Sequence, residues 1–224
     1  MDMLSSAEKL AEIKAILAGA IVETGVFLDR TNSPEGQGFR LKLHDTQPEA
    51  PLSPFYINLR RLCGSGNALG IAADALAVLI EASGLEFEFD RLAGIPLASL
   101  PFVGVLAVNL DKPMVIPRPP KTHGTGETVE GPFEEGETIL LVDDLVTKAD
   151  SKLEAADVLR KKGLTVKDCI VLVDREQGGA AQLAEAGITL HSVFTISELL
   201  DILEKEEHLD PETAAEIREY LAAN

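Results

Sequence analysis

Apolar residues recur at helical spacing near the start of the chain, where Leu10, Ile13, Ile16, Leu17 and Ile21 share one face. Ser5 followed by Glu8 supplies a capping box for that helix. Residues 30–53 are polar and punctuated by Pro and Gly, except 39–43, whose alternation predicts a short strand; 55–59 predicts another. Over 67–83 the apolar face is broad enough for a helix packed on a sheet. Strands and helices then alternate: strand 90–96, helix 99–109, strands 112–117 and 137–143, helix 151–162, strand 168–174, helix 179–186 and strand 188–194. Asp210 as N-cap, Pro211 in the first turn and a stripe through Ala214, Ile217 and Leu221 predict a closing helix. Such an order predicts an α/β fold, a doubly wound, mostly parallel sheet flanked by helices.

Charge narrows the set of partners. With 37 acidic against 20 basic residues the formal net charge is −17, which repels phosphate backbones, so neither nucleic-acid nor anionic-membrane binding is expected. The first residues lack a basic-then-apolar leader and no stretch of 18 apolar residues exists, which predicts a cytoplasmic protein. Cys63 and Cys169 have neither metal-ligand nor disulfide spacing and are expected as reduced thiols in or near the core. Against this acidic background one stretch stands out: between Lys112 and Gly126 there is no Asp or Glu, while Lys112, Arg118, Lys121 and His123 all fall there. Pro113, Pro117, Pro119, Pro120 and two glycines make it a loop between strands, either a solvated connection or a basic cover for an anion.

The densest chemistry lies over 139–163. An apolar strand is expected to end on Asp143 and Asp144, followed by a turn, Thr147-Lys148-Ala149-Asp150-Ser151, and a helix with Leu153, Ala156, Val158 and Leu159 as its apolar stripe and Gly163 as its C-cap. In open α/β sheets ligands sit beyond the carboxyl ends of strands, and helix N-termini offer unpaired N–H groups to an anion. Two carboxylates there suit sugar hydroxyls or a Mg²⁺ ion, held directly or through water; the alternative is a pair of solvated acids. A nucleotide-hydrolase reading needs a Gly-x-x-x-x-Gly-Lys-Ser/Thr loop, which does not occur.

From about Phe39 to about Leu200, five segments in order resemble the orotate phosphoribosyltransferases, type I phosphoribosyltransferases of pyrimidine synthesis. They are Lys42 with Phe55-Tyr56, the stretch Gly94 to Pro101, the Lys121-Thr-His123-Gly124 loop, the Asp143-Asp144-Leu-Val-Thr147 turn, and Asp174-Arg175-Glu176-Gln177-Gly178-Gly179. The resemblance implies transfer of phosphoribose from 5-phosphoribosyl 1-diphosphate to orotate with Mg²⁺ as cofactor, in a homodimer with shared sites. It implies that Asp143 and Asp144 hold the ribose hydroxyls, and the metal directly or through water or substrate. Thr147, Lys148, Ala149, Asp150 and Ser151 would receive the 5'-phosphate, and Ala98 and Ser99 the diphosphate. Lys121 and His123, with Arg118 beside them, would close over the leaving group of the neighbouring subunit, while Arg175 meets the orotate carboxylate, Lys42 reaches the pyrimidine and Phe55 and Tyr56 line it. Residues 1–60 would form an N-terminal helix and hood, 61–200 the core and 201–224 a helical tail.

Two positions depart from the family pattern. Pro117 stands where the loop usually begins with a basic residue, and Asp150 puts a carboxylate where a phosphate should rest. Like charges at about 4 Å and an effective dielectric near 20 repel by roughly 4 kcal/mol, so Asp150 is expected to turn away and cap the 151–162 helix, with Lys148 assisting.

Overall fold

The computed structural model describes residues 4–118 and 127–223. In chain order it contains α1 (Ser6–Glu23), β1 (Phe27–Asp29), β2 (Phe55–Ile57), α2 (Gly66–Ala82), β3 (Arg91–Gly94), α3 (Leu100–Leu110), β4 (Met114–Pro117), β5 (Val129–Glu130), β6 (Thr138–Val146), α4 (Asp150–Arg160), β7 (Thr165–Asp174), α5 (Gly179–Glu185), β8 (Thr189–Thr195), α6 (Ile196–Lys205) and α7 (Pro211–Ala223). Six strands form one sheet in the order β5-β4-β3-β6-β7-β8, parallel except for the β4–β5 pair, and β1 with β2 makes a separate antiparallel pair.

Near-continuous apolar strands reflect burial on both faces. Leu92, Leu140, Val142, Ile170 and Leu172 pack with α1, α2, α3, α6 and α7 on one face. Ala93, Leu141, Cys169 and Val171 pack with α4 and α5 on the other. The chain leaves β3 through α3 to β4 on one side, then returns to pair β6 on the other. That reversal of winding direction puts a topological switch point between β3 and β6, where open α/β sheets leave a crevice for ligands.

Several expectations need correction. Residues 39–43 contribute only a Phe39–Ser53 bridge before a 3-10 turn over Lys42–Asp45; the Leu41 N–H donates to His44 Nδ1 at 2.9 Å, a local bond that competes with strand pairing. In α1 the buried stripe runs through Leu17, Ala18, Ala20 and Ile21, leaving Ile16 46% exposed on its flank. Cys63 is exposed rather than near the core, whereas Cys169 is buried and its thiol is pushed up to about 12, chiefly by burial. The Ser5–Glu8 capping box forms as expected, and the Thr213 N–H donates to Asp210 Oδ1 at 2.9 Å beside Pro211.

Candidate active site

Because β3, β4, β6 and β7 run parallel, the segments after them leave the same edge of the sheet: 95–99, Arg118, 147–151 and 175–179. β6 does not end at the acidic pair, as the sequence suggested, but continues to Val146 because Leu145 and Val146 pair with Val173 and Asp174 of β7. Consecutive strand residues face opposite sides of a sheet, so the two carboxylates are divided between the faces. Asp143 is buried on the α4 side, where Oδ2 forms an ion pair with Lys152 and Oδ1 accepts the Asp144 N–H at 2.9 Å. The Asp144 carboxyl is pushed up to about 6, by burial first and by the neighbouring Asp143 charge second.

The turn after β6 leads directly into α4. Ala149, fully buried, is the N-cap, and its N–H donates to Gln182 Oε1 of α5 at 2.8 Å. Asp150 therefore does not cap the helix: it is the first helical residue, exposed, and no ion pair joins it to Lys148 among the described residues. An acid in the first turn complements the helix dipole, which stabilises it there without a side-chain cap bond. Exposure also raises the local dielectric, so repulsion of a phosphate 4 Å away falls toward about 1 kcal/mol. The first-turn N–H groups of α4 have no intrahelical partners, as at any helix N-terminus, where such groups can receive an anion.

Ser99, fully buried, donates its hydroxyl to the Ile95 carbonyl at 2.7 Å and fixes the 95–99 turn at the start of α3; Ala98 is partly exposed beside it. The Pro96–Leu97 peptide in this turn is cis. Arg118 sits at the root of the β4–β5 pair and is tied to Glu130 at 2.9 Å. Lys121 and His123 lie outside the described residues, as does the side chain of Lys42.

At the end of β7, Arg175 is 4% exposed, yet Nε and Nη2 have no hydrogen-bond partner. Its guanidinium lies 4.5 Å from the centroid of the Phe55 ring. Burial works against the charged form, while the nearby Tyr220 and Tyr56 hydroxyls favour it. Phe55 is fully buried and stacks on Phe27 at 5.9 Å, so it forms the floor beneath Arg175; Tyr56, alternating to the other side of β2, is half-buried against Phe39. The sequence pattern did not single out Lys152 or Gln182. Lys152 was detectable as the residue completing the inward row 152, 155, 156 and 159 of α4.

Residues 65–199 match the model of the phosphoribosyl transferase domain. Over 172 residues the chain is 37% identical to an orotate phosphoribosyltransferase of Caenorhabditis elegans, covering 76% of this chain and 75% of that protein. The chain belongs to the orotate phosphoribosyltransferases, a branch of the phosphoribosyltransferase family. Orotate phosphoribosyltransferase from Aeropyrum pernix superposes with a TM-score of 0.66 at 31% identity, covering 85% of this chain and 99% of that one. The uridine 5'-monophosphate synthase of Bos taurus is 38% identical over 173 residues, 77% of this chain, but the chain spans only 36% of that longer protein. Among the described residues no helix is long and apolar enough to cross a membrane.

Proposed function

We propose that the chain transfers phosphoribose from 5-phosphoribosyl 1-diphosphate to orotate, giving orotidine 5'-monophosphate and diphosphate in UMP biosynthesis. The observation that carries this reading is Arg175: a buried guanidinium with unpartnered N–H groups is costly unless an anion completes it, and a planar carboxylate fits its fork. Orotate carries such a carboxylate.

Around it the other groups take their parts. Tyr56 and Lys42 border the pyrimidine, and Phe55 supports Arg175 from below. Residues 147–151 receive the 5'-phosphate on backbone N–H groups, and Ala98 with Ser99 borders the diphosphate. Of the acidic pair, Asp144 faces the ribose hydroxyls, with Asp143 turned toward α4 behind it. The glycosidic bond forms as the orotate nitrogen donates its electron pair to the anomeric carbon, whose bond to diphosphate breaks with the electrons leaving on oxygen. Lys121, His123 and Arg118 would stabilise that developing charge in the partner subunit's site of a homodimer.

Among the described residues no group of three or more His, Cys, Asp or Glu side chains is built to hold a metal alone. Two carboxylates with substrate oxygens nevertheless suit Mg²⁺, which prefers one or two protein carboxylates plus phosphates. Asp143 and Asp144 would hold it through water or substrate, and when bound it supplies neutralisation of the diphosphate. Residues 1–60 serve as hood, 61–200 as catalytic core and 201–224 as a supporting tail, in a cytoplasmic protein.

Purified protein mixed with orotate, 5-phosphoribosyl 1-diphosphate and Mg²⁺ is expected to consume the orotate absorbance. Absence of turnover in a folded protein that still binds the sugar diphosphate would favour a non-catalytic sensor, a reading to which Asp150 in the phosphate turn lends support. Turnover with another base in place of orotate would instead reassign the substrate.

A further inference from the structure

We propose that Lys152 is a positioning residue that divides the acidic pair: it holds Asp143 inward and so presents Asp144 as the carboxylate that meets the ribose. This inference rests on the phosphoribosyltransferase reading of the site and deepens it.

The geometry is specific. Lys152 lies in the first turn of α4, 4% exposed, in the row that otherwise carries Ala155, Ala156 and Leu159. An ammonium there is disfavoured twice, by burial and by the positive end of the helix dipole, so its presence needs compensating partners. They are found on both sides of Asp144. Nζ forms an ion pair with Asp143 Oδ2 and donates to the Leu145 carbonyl at 2.6 Å. Asp143 Oδ1 accepts the Asp144 N–H at 2.9 Å, and the Leu145 N–H donates to Asp144 Oδ1 at 2.8 Å. One side chain from α4 thus brackets Asp144 through residues 143 and 145, and ties the end of β6 to the helix whose N-terminus forms the phosphate turn. With Oδ2 committed to Lys152 and Oδ1 to the Asp144 N–H, Asp143 acts through Asp144 instead of touching the sugar.

The test compares wild type, Lys152→Met, Asp143→Asn and the double variant for melting temperature, kcat and the Michaelis constant of each substrate. Lys152→Met leaves a buried carboxylate unpaired and is expected to lower kcat/KM for the sugar diphosphate about a hundredfold and Tm by roughly 10 °C. The orotate KM should stay within about twofold, because the Arg175 guanidinium rests on Phe55 and, among the described residues, shares no hydrogen bond with Lys152, Asp143 or Asp144. The double variant, with no buried charge left at either position, should regain most of the lost Tm and at least about tenfold of the lost kcat/KM. If Lys152→Met raises both KM values alike, the role is only structural. If the double variant recovers its Tm but stays as inactive as Asp143→Asn, Asp143 meets the substrate itself and the division is wrong. Should Lys152→Met fail to fold, Asp143→Asn and the double variant decide the question by the same comparison. A wild-type protein without turnover would instead sink the parent reading, and sugar-diphosphate affinities of the same four proteins, measured by calorimetry, would still judge the clamp.

Discussion

Arg175 and Asp144 are both groups that the fold alone would prefer to lose. A buried guanidinium with two N–H positions unpartnered costs desolvation energy without return until an anion arrives. Arg175→Met is therefore expected to keep or raise Tm while increasing the orotate KM about a hundredfold or more, the loss of a charge-assisted bidentate pair. A simultaneous, equal rise in the Michaelis constant for the sugar diphosphate would contradict the role. For Asp144 the sign follows from its carboxyl being pushed up to about 6 from 3.8. The folded chain holds this proton more tightly than the unfolded one, so the stability it contributes is full below about pH 4 and lost as pH rises through about 6. In metal-free buffer, Asp144→Asn should match wild type near pH 4 and exceed it above pH 7, by no more than roughly 3 kcal/mol. Melting curves across that range check it. A constant offset would show that burial and the Asp143 charge are not what perturb the group.

At the scale of elements, α5 braces the 147–149 turn that leads into α4 through two contacts. Gln182 Oε1 accepts the Ala149 N–H at 2.8 Å, and a Cβ added at Gly179 would stand 2.8 Å from the Thr147 carbonyl. Gly179→Ala must therefore push the turn away from α5, with a predicted destabilisation of about 1–3 kcal/mol and a rise in the sugar-diphosphate KM. Kinetics indistinguishable from wild type would show that the turn tolerates the shift. The alternation of strands and helices from α2 to β8 was legible because apolar periodicity is a local property, and the caps at Ser5 and Asp210 were legible for the same reason. The two-residue β5 carries too little pattern to be read. The extension of β6 past the acidic pair was hidden because β7 supplies its hydrogen bonds. The true position of Asp150, inside the helix and not capping it, was hidden because the residue that satisfies the turn, Gln182, lies 33 positions away. Helical spacing could place Lys152 on the inward row of α4, but only the packed fold reveals the carboxylate opposite it.

For the whole molecule, a formal charge of −17 on 224 residues means self-repulsion in the folded state. Sodium chloride screens it, since the Debye length shortens from about 30 Å at 0.01 M to about 3 Å at 1 M. Tm at pH 7.5 is expected to climb by several degrees across that range, and a flat or falling profile would mean that attractive pairs, such as Arg91 with Glu137, outweigh the net charge.

Phe55, the ring on which the Arg175 guanidinium rests, lies before the segment 65–199 that matches the family model. With Arg175 meeting the orotate carboxylate as proposed, recognition of the base would be split between a shared chassis and a leading stretch of chain, and neither half should confer it unaided. Grafting the leading stretch onto a relative would transmit a taste for acidic bases only to a recipient already carrying an arginine at the matching strand end.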